Sequence, residues 1–165
     1  MPASTSAKVT AVALSDESHL WDHVQHGDFL DCYATRTEIS PRAAAQIIVT
    51  FPGWARALVV LRRILTAPFG LDNDGPPSPD KLGPFPVQLE TDHEIIAGFD
   101  DRHLDFRVSI LSRAGVVSLA TWVHTHNLGG RLYLAAIMPF HILIARNALT
   151  RVARAAASSD AAGAV

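Results

Sequence analysis

A single cysteine, Cys32, is all the chain carries, so no internal disulfide can form and no multi-cysteine zinc site can exist. That fits a reducing compartment and marks Cys32 as a small core residue. Blocks of one charge are missing too. Fourteen Lys and Arg against sixteen Asp and Glu give a formal net charge of −2, and no stretch gathers basic side chains that could track a phosphate backbone. Nucleic acid is therefore not an expected partner. The opening run MPASTSAKVTAVAL lacks the charged start and sustained apolar core of a secretory signal. The most apolar stretch, Leu132 to Ala145, covers about 14 residues and holds Pro139 and His141, short of the roughly 20 needed to cross a bilayer. A cytoplasmic protein without a membrane span is the expectation.

What is present suffices for one core: 165 residues, 48% of them apolar. Small polar residues at both ends predict loose tails at 1–8 and 155–165 around a single domain at 9–154. Gly27 to Ile39, GDFLDCYATRTEI, reads as a strand. Ser40 then stands as a helix cap before Pro41, opening a short helix to about Val49. A second helix follows in PGWARALVVLRRILTAPFG, where Trp54, Leu58, Leu61 and Leu65 recur at helical spacing. Pro68 to Pro86 holds six of the ten prolines and predicts a long surface loop, a lid or a binding segment.

Three strand-like runs come next, Val87 to Phe99, Arg102 to Arg113 and Val116 to His126, joined by short junctions at Asp100-Asp101 and Ala114-Gly115. They predict an antiparallel meander. A long helix from about Arg131 to Ala155 ends the domain, with Asn127 as its cap and a kink at Pro139. The fold class expected is α+β, a curved antiparallel sheet wrapped around a long C-terminal helix. Two-residue hairpins would place Leu89, Thr91, His93, Ile95, Phe106, Val108, Leu119 and Thr121 on the core face. Glu94, His103, Asp105, Arg107, Trp122, His124 and His126 would share a wet face, with Arg107 across from both Glu94 and Trp122.

The His-Thr-His motif at 124–126 thus raises two readings. With His103 and Asp105 the two rings could supply a metal with nitrogen and oxygen ligands; as surface groups they form cross-strand polar pairs. The open face favours the second, and neither a metal nor a catalytic set is assigned. His93 is placed inside the sheet, where an imidazole needs a hydrogen-bond partner or a ligand. Thr91 and Thr121 share its face, and Tyr133 and His141 come from the helix that covers it.

The phrases FPGWARALVVLRRILTAPFGL, GFDDRHLDFRVSI and GRLYLAAIMPFHILIARNALTR resemble the bacterial domain-of-unknown-function family 2867, over roughly Asp28 to Arg154. The element order is similar to a reduced helix-grip fold, that of the START and birch-pollen-allergen superfamily (SRPBCC). The resemblance implies an apolar ligand between curved sheet and last helix, with fewer strands than full-length relatives.

Three functions follow as expectations. The first is a binding module for an apolar or aromatic small molecule held by His93, Thr91, Thr121, Tyr133 and His141, without a cofactor. The second is an enzyme using His93 or His141 as general acid or base, or a metal at His103, Asp105, His124 and His126. The third is an interaction domain whose sheet edge or apolar helix around Ile137 to Ile144 packs on a second copy.

Overall fold

A computed structural model of the chain describes residues 8–67 and 75–163, without the side chains at 58, 59, 61, 62, 64–66 and 163. Seven antiparallel strands make one curved open sheet. They are β1 (Thr10–Ala11), β2 (Phe29–Arg36), β3 (Lys81–Leu82), β4 (Phe85–Glu90), β5 (Glu94–Asp100), β6 (Leu104–Arg113) and β7 (Val116–Thr125). Their spatial order is β1-β2-β7-β6-β5-β4-β3, so the first long strand lies beside the last. Between β2 and β3 come α1 (Pro41–Val49) and α2 (Gly53–Thr66), and α3 (Leu128–Gly163) ends the chain. The α+β class and the long closing helix stand as expected. Seven strands stand where four were expected: β1 is added near the start, β3 lies in the expected loop at 68–86, and the Val87–Phe99 run divides into β4 and β5; residues 68–74 of that loop lie outside those described. The tail foreseen at 1–8 also falls there for residues 1–7, and the tail foreseen from 155 continues α3 to Gly163.

One face of the sheet carries the main core. Tyr33, Ile95, Ala97, Ile110, Val117 and Leu119 pack against Ala44, Ala45 and Ile48 of α1 and against Ala145, Ala148, Leu149 and Val152 of α3. The alanines let the two helices approach each other and the sheet closely. Both ends of α1 are tied by arginines. Ser40 Oγ accepts from the Ala43 N–H at the N-terminus, and Arg42 bridges Asp80 and Glu90, joining α1 to the β3–β4 edge. At the other end Arg151 of α3 donates to the carbonyls of Ile47 and Thr50 at 2.6 Å each, satisfying oxygens that the helix terminus leaves open. In α2, Ala55 is buried but Trp54, expected inward, is exposed; Leu58, Leu61 and Leu65 lie outside the described side chains.

The Val87–Phe99 run is not one strand. It breaks at Thr91-Asp92-His93, and a register shift between Val87 and Leu89 turns Leu89 to the face opposite the main core. His93 and Thr91 are therefore exposed in a turn, where the Thr91 hydroxyl accepts from the His93 and Glu94 N–H groups. Their expected place inside the sheet is corrected by this turn, which ends β4 at Glu90 and restarts the ladder at Glu94, whereas Ile95 keeps the core face expected of it. The β5–β6 connection is also longer than two residues: Asp100 pairs with Asp105, and the Asp101 N–H reaches the Leu104 carbonyl at 3.0 Å. This slides the pairing by an even number of residues and keeps the faces, so Arg107 opposes Gly98 rather than Glu94. The β6–β7 register is as expected, with Arg113 opposite Val116 and Asp105 opposite His124.

The middle of the face expected to be wet, at Glu94, Arg107 and Trp122, is buried, while His103, Asp105 and His124 are half-buried and His126 is exposed as expected. Residues 12–28 cross it as a strap, with Leu14 and Leu20 packed on Cys32, Ile96, Ala120 and Trp122. Beneath the strap Glu94 is 1% exposed. Its carboxylate accepts from Ser18 Oγ and Ser109 Oγ at 2.5 Å each and from the backbone N–H and Nδ1 of His19 at 2.8 Å each. Burial pushes this carboxyl up, yet the hydrogen bonds from Ser109, Ser18 and His19 outweigh it and hold the group below its ordinary 4.5. Among the described residues α3 is the one helix long and apolar enough, by length and composition, to cross a membrane, a test that the shorter 132–145 segment did not meet. Its C-terminal half lies in the core just described.

A carboxyl depressed by folding stabilises the native state above its unfolded value and loses that contribution as pH falls through its folded value. Glu94→Gln should therefore lower urea-unfolding stability by about 1–3 kcal/mol at pH 7. The gap from the parent protein should close as the pH is taken below 4.5.

Candidate functional site

The site begins where β2 begins. Gly27, with φ of +90°, turns the chain in a left-handed conformation that a β-carbon would strain, and Asp28 follows at the mouth of the strand. Because Phe29 pairs with Val123, the next step outward sets Asp28 against His124. The Asp28 side chain is only 3% exposed and its two oxygens are taken. One meets Nδ1 of His124 at 2.6 Å; the other accepts from Trp122 Nε1 at 2.7 Å and the Gln25 N–H at 2.8 Å. Burial works to raise this carboxyl, and the bonds from His124, Gln25 and Trp122 more than reverse it, leaving it below its ordinary range. An ionised carboxylate only accepts, so Nδ1 of His124 carries the hydrogen and Nε2 is the nitrogen left open.

The other members of the His-Thr-His region pair separately. His126 Nε2 lies 2.8 Å from Asp105 Oδ1, and the His124 and His126 rings meet edge to face with centroids 5.3 Å apart. His103 Nδ1 faces the Asn127 amide. His103, Asp105, His124 and His126 thus do not converge on one centre, and among the described residues no group of three or more His, Cys, Asp or Glu side chains is arranged to hold a metal ion. Trp122 is sandwiched further in. The His23 ring lies beside it, tilted by 39° with centroids 5.5 Å apart, and the Arg107 guanidinium lies 5.9 Å from the indole while pairing with Asp100 at 2.7 Å. Burial, then the nearby Arg107 charge, lowers the His23 imidazole from its ordinary value.

His124 and Asp28 form part of the wall of a cleft of about 590 Å3 between the sheet and the first half of α3. Phe29 and Val123 supply its sheet side; Leu134, Ala135 and Met138 supply its helix side, with His26, Thr125 and Arg131 as further polar groups. The helix is aimed by its start. Asn127 Oδ1 accepts from the Gly130 N–H at 3.0 Å, the cap expected from the sequence. A β-carbon on Gly130 would stand 2.3 Å from the His103 carbonyl oxygen, so only glycine lets α3 begin this close to the β5–β6 turn.

None of the five residues expected to hold a ligand lines this cleft. His93 and Thr91 are at the far turn. Thr121 is buried opposite Asp31, and His141 of α3 reaches the same Asp31 through Nε2 at 2.9 Å while meeting Phe29 edge to face at 6.1 Å. Tyr133 is half-buried on α3. Asp28, Arg131, Leu134 and Met138 are not reached from the sequence, because nothing local pairs the strand at 27–39 with β7. Joining GDFLDCY to the end of β7 is the one step that would have set Asp28 against His124.

Two outcomes check this geometry. Nitrogen NMR of the imidazoles should show neutral His124 as the Nδ1–H tautomer, and Asp28→Ala should remove that bias. Asp28→Ala should also lower unfolding stability by about 2–3 kcal/mol, since it strands the Trp122 and Gln25 donors, with Trp122→Phe costing about 1 kcal/mol.

No curated protein and no solved structure matches the chain. The family described as Protein of unknown function (DUF2867) matches residues 23–148, from the strap through the whole sheet beyond β1 and into α3, and so includes every residue of the cleft. By that match the chain belongs to DUF2867.

Proposed function

We propose that the protein binds a small molecule with an apolar or aromatic body in the cleft between the sheet and the first half of α3. The observation that carries this reading is the cleft itself: about 590 Å3, within the size range of small-molecule sites, with an apolar floor and a few polar groups at one wall. Phe29, Val123, Leu134 and Met138 hold the body, and His26, His124, Thr125 and Arg131 orient the polar end. We propose a helix-grip relationship on the same grounds, β2 beside β7, two helices after β2 and a long closing helix packed on both strands; it would put a ligand in the same place. Thr121 and His141 support the pocket through Asp31 and Phe29 rather than from its wall.

A second reading rests on His124. An imidazole held through Nδ1 by a buried carboxylate and open at Nε2 is the arrangement that general-base residues use, so a bound molecule with a removable proton would be a substrate. In this reading the acid–base role belongs to His124, with His93 exposed in its turn and His141 engaged by Asp31.

Native mass spectrometry of the purified protein should show a small-molecule adduct, or take one up from added 1-octanol or 2-phenylethanol, and Met138→Trp should lose it at unchanged melting temperature. A parent protein free of adduct and of uptake would end the reading. Incubating the complex in deuterated water separates the two readings. Deuterium gained by the recovered ligand and lost in His124→Gln means catalysis; an unaltered ligand means binding alone.

A further inference from the structure

The polar groups of the cleft wall are not equivalent in charge. Asp28 is the one carboxylate on it, and both of its oxygens are engaged by His124, Trp122 and Gln25. It stays ionised, with its oxygens held inside the wall by those donors rather than offered to the cleft. Arg131 lines the same cleft, and among the described residues no carboxylate pairs with it.

Helix stability does not account for this arginine. Arg131 stands in the first turn of α3, which has no acidic residue. A cation there faces the positive end of the helix dipole and weakens the helix slightly. Packing does not account for it either, since the side chain is exposed while its neighbour in sequence, Gly130, is fixed against His103. The placement of Arg131 follows from the tight helix start, and what it meets is the cleft.

We infer that the cleft selects organic anions: a small carboxylate whose acid group pairs with the Arg131 guanidinium and whose apolar body lies on Phe29, Val123, Leu134 and Met138. A planar guanidinium presents two parallel N–H groups to a carboxylate, which favours this anion in geometry as well as charge. Asp28 keeps its charge but offers the cleft no free oxygen, so the exposed Arg131 guanidinium is the charged group a ligand can pair with. The inference rests on the cleft-binding reading and adds the chemical class of the ligand.

The test uses matched pairs on the full chain: octanoate against 1-octanol, and phenylacetate against 2-phenylethanol, titrated by calorimetry at constant ionic strength. Each carboxylate should bind at least about tenfold tighter than its alcohol, as a charge-assisted pair predicts. Arg131→Gln should bring the two within about twofold while leaving the alcohol's affinity unchanged, and Arg131→Lys should restore part of the preference. Alcohols that bind as well as carboxylates, or a preference that survives Arg131→Gln, would overturn the anion inference and leave cleft binding standing. If none of the four binds, both fall.

Discussion

Everything about this molecule depends on the pairing of β2 with β7. The two strands are separated by α1, α2 and four other strands, yet they run side by side from Phe29 opposite Val123 to Arg36 opposite Val116. Such a contact is entropically expensive to form and is repaid only when both faces of the sheet are covered. On one face α1 and α3 cover it; on the other the strap at 12–28 does. The same pairing sets Asp28 at the level of His124, so the strand order that completes the core also builds the cleft wall.

The strap shows how a polar sequence can bury a sheet. Residues 12–28 have few apolar side chains, but Leu14 and Leu20 are enough to seat the segment on Cys32, Ile96, Ala120 and Trp122. What fixes its position is a charge taken out of water. Glu94 would be strongly unfavourable under Leu20 if it were alone, and four donors from the strap and β6 make the site tolerable only in one alignment. Asp28 repeats this logic at the other end of the same face with an indole, a backbone amide and an imidazole.

Local features were legible in the sequence wherever the chemistry is local. Ser40-Pro41, the Asn127 cap and the Ala114-Gly115 turn each act within a few residues, and each lies where the sequence placed it. The β6–β7 register followed from its turn, and with it Asp105 beside His124. Long-range and sub-residue events were not legible. The bulge between Val87 and Leu89 inserts one residue without a marker in the sequence and turns Leu89 away from the main core, and the break at Thr91-Asp92-His93 leaves His93 on the surface. Alternation in β5–β7 marked a polar face, but no periodicity shows that a distant segment covers it. Hence His124 was visible as a candidate while its partner Asp28 was not.

The two halves of α3 live in different surroundings. From Ala145 to Ala156 the inward positions are sealed among α1 and the sheet, and Arg151 ties them to the end of α1. From Leu128 to Ile144 the inward positions Leu134, Ile137 and Met138 are only partly covered, and the Asp31–His141 pair is the main polar tie to the sheet. The helix is therefore pinned at its start by Asn127 and Gly130 and sealed along its second half, with its least covered turns between. The cleft lies along those turns, so the residues that line it are separate from the residues that hold the helix in the core.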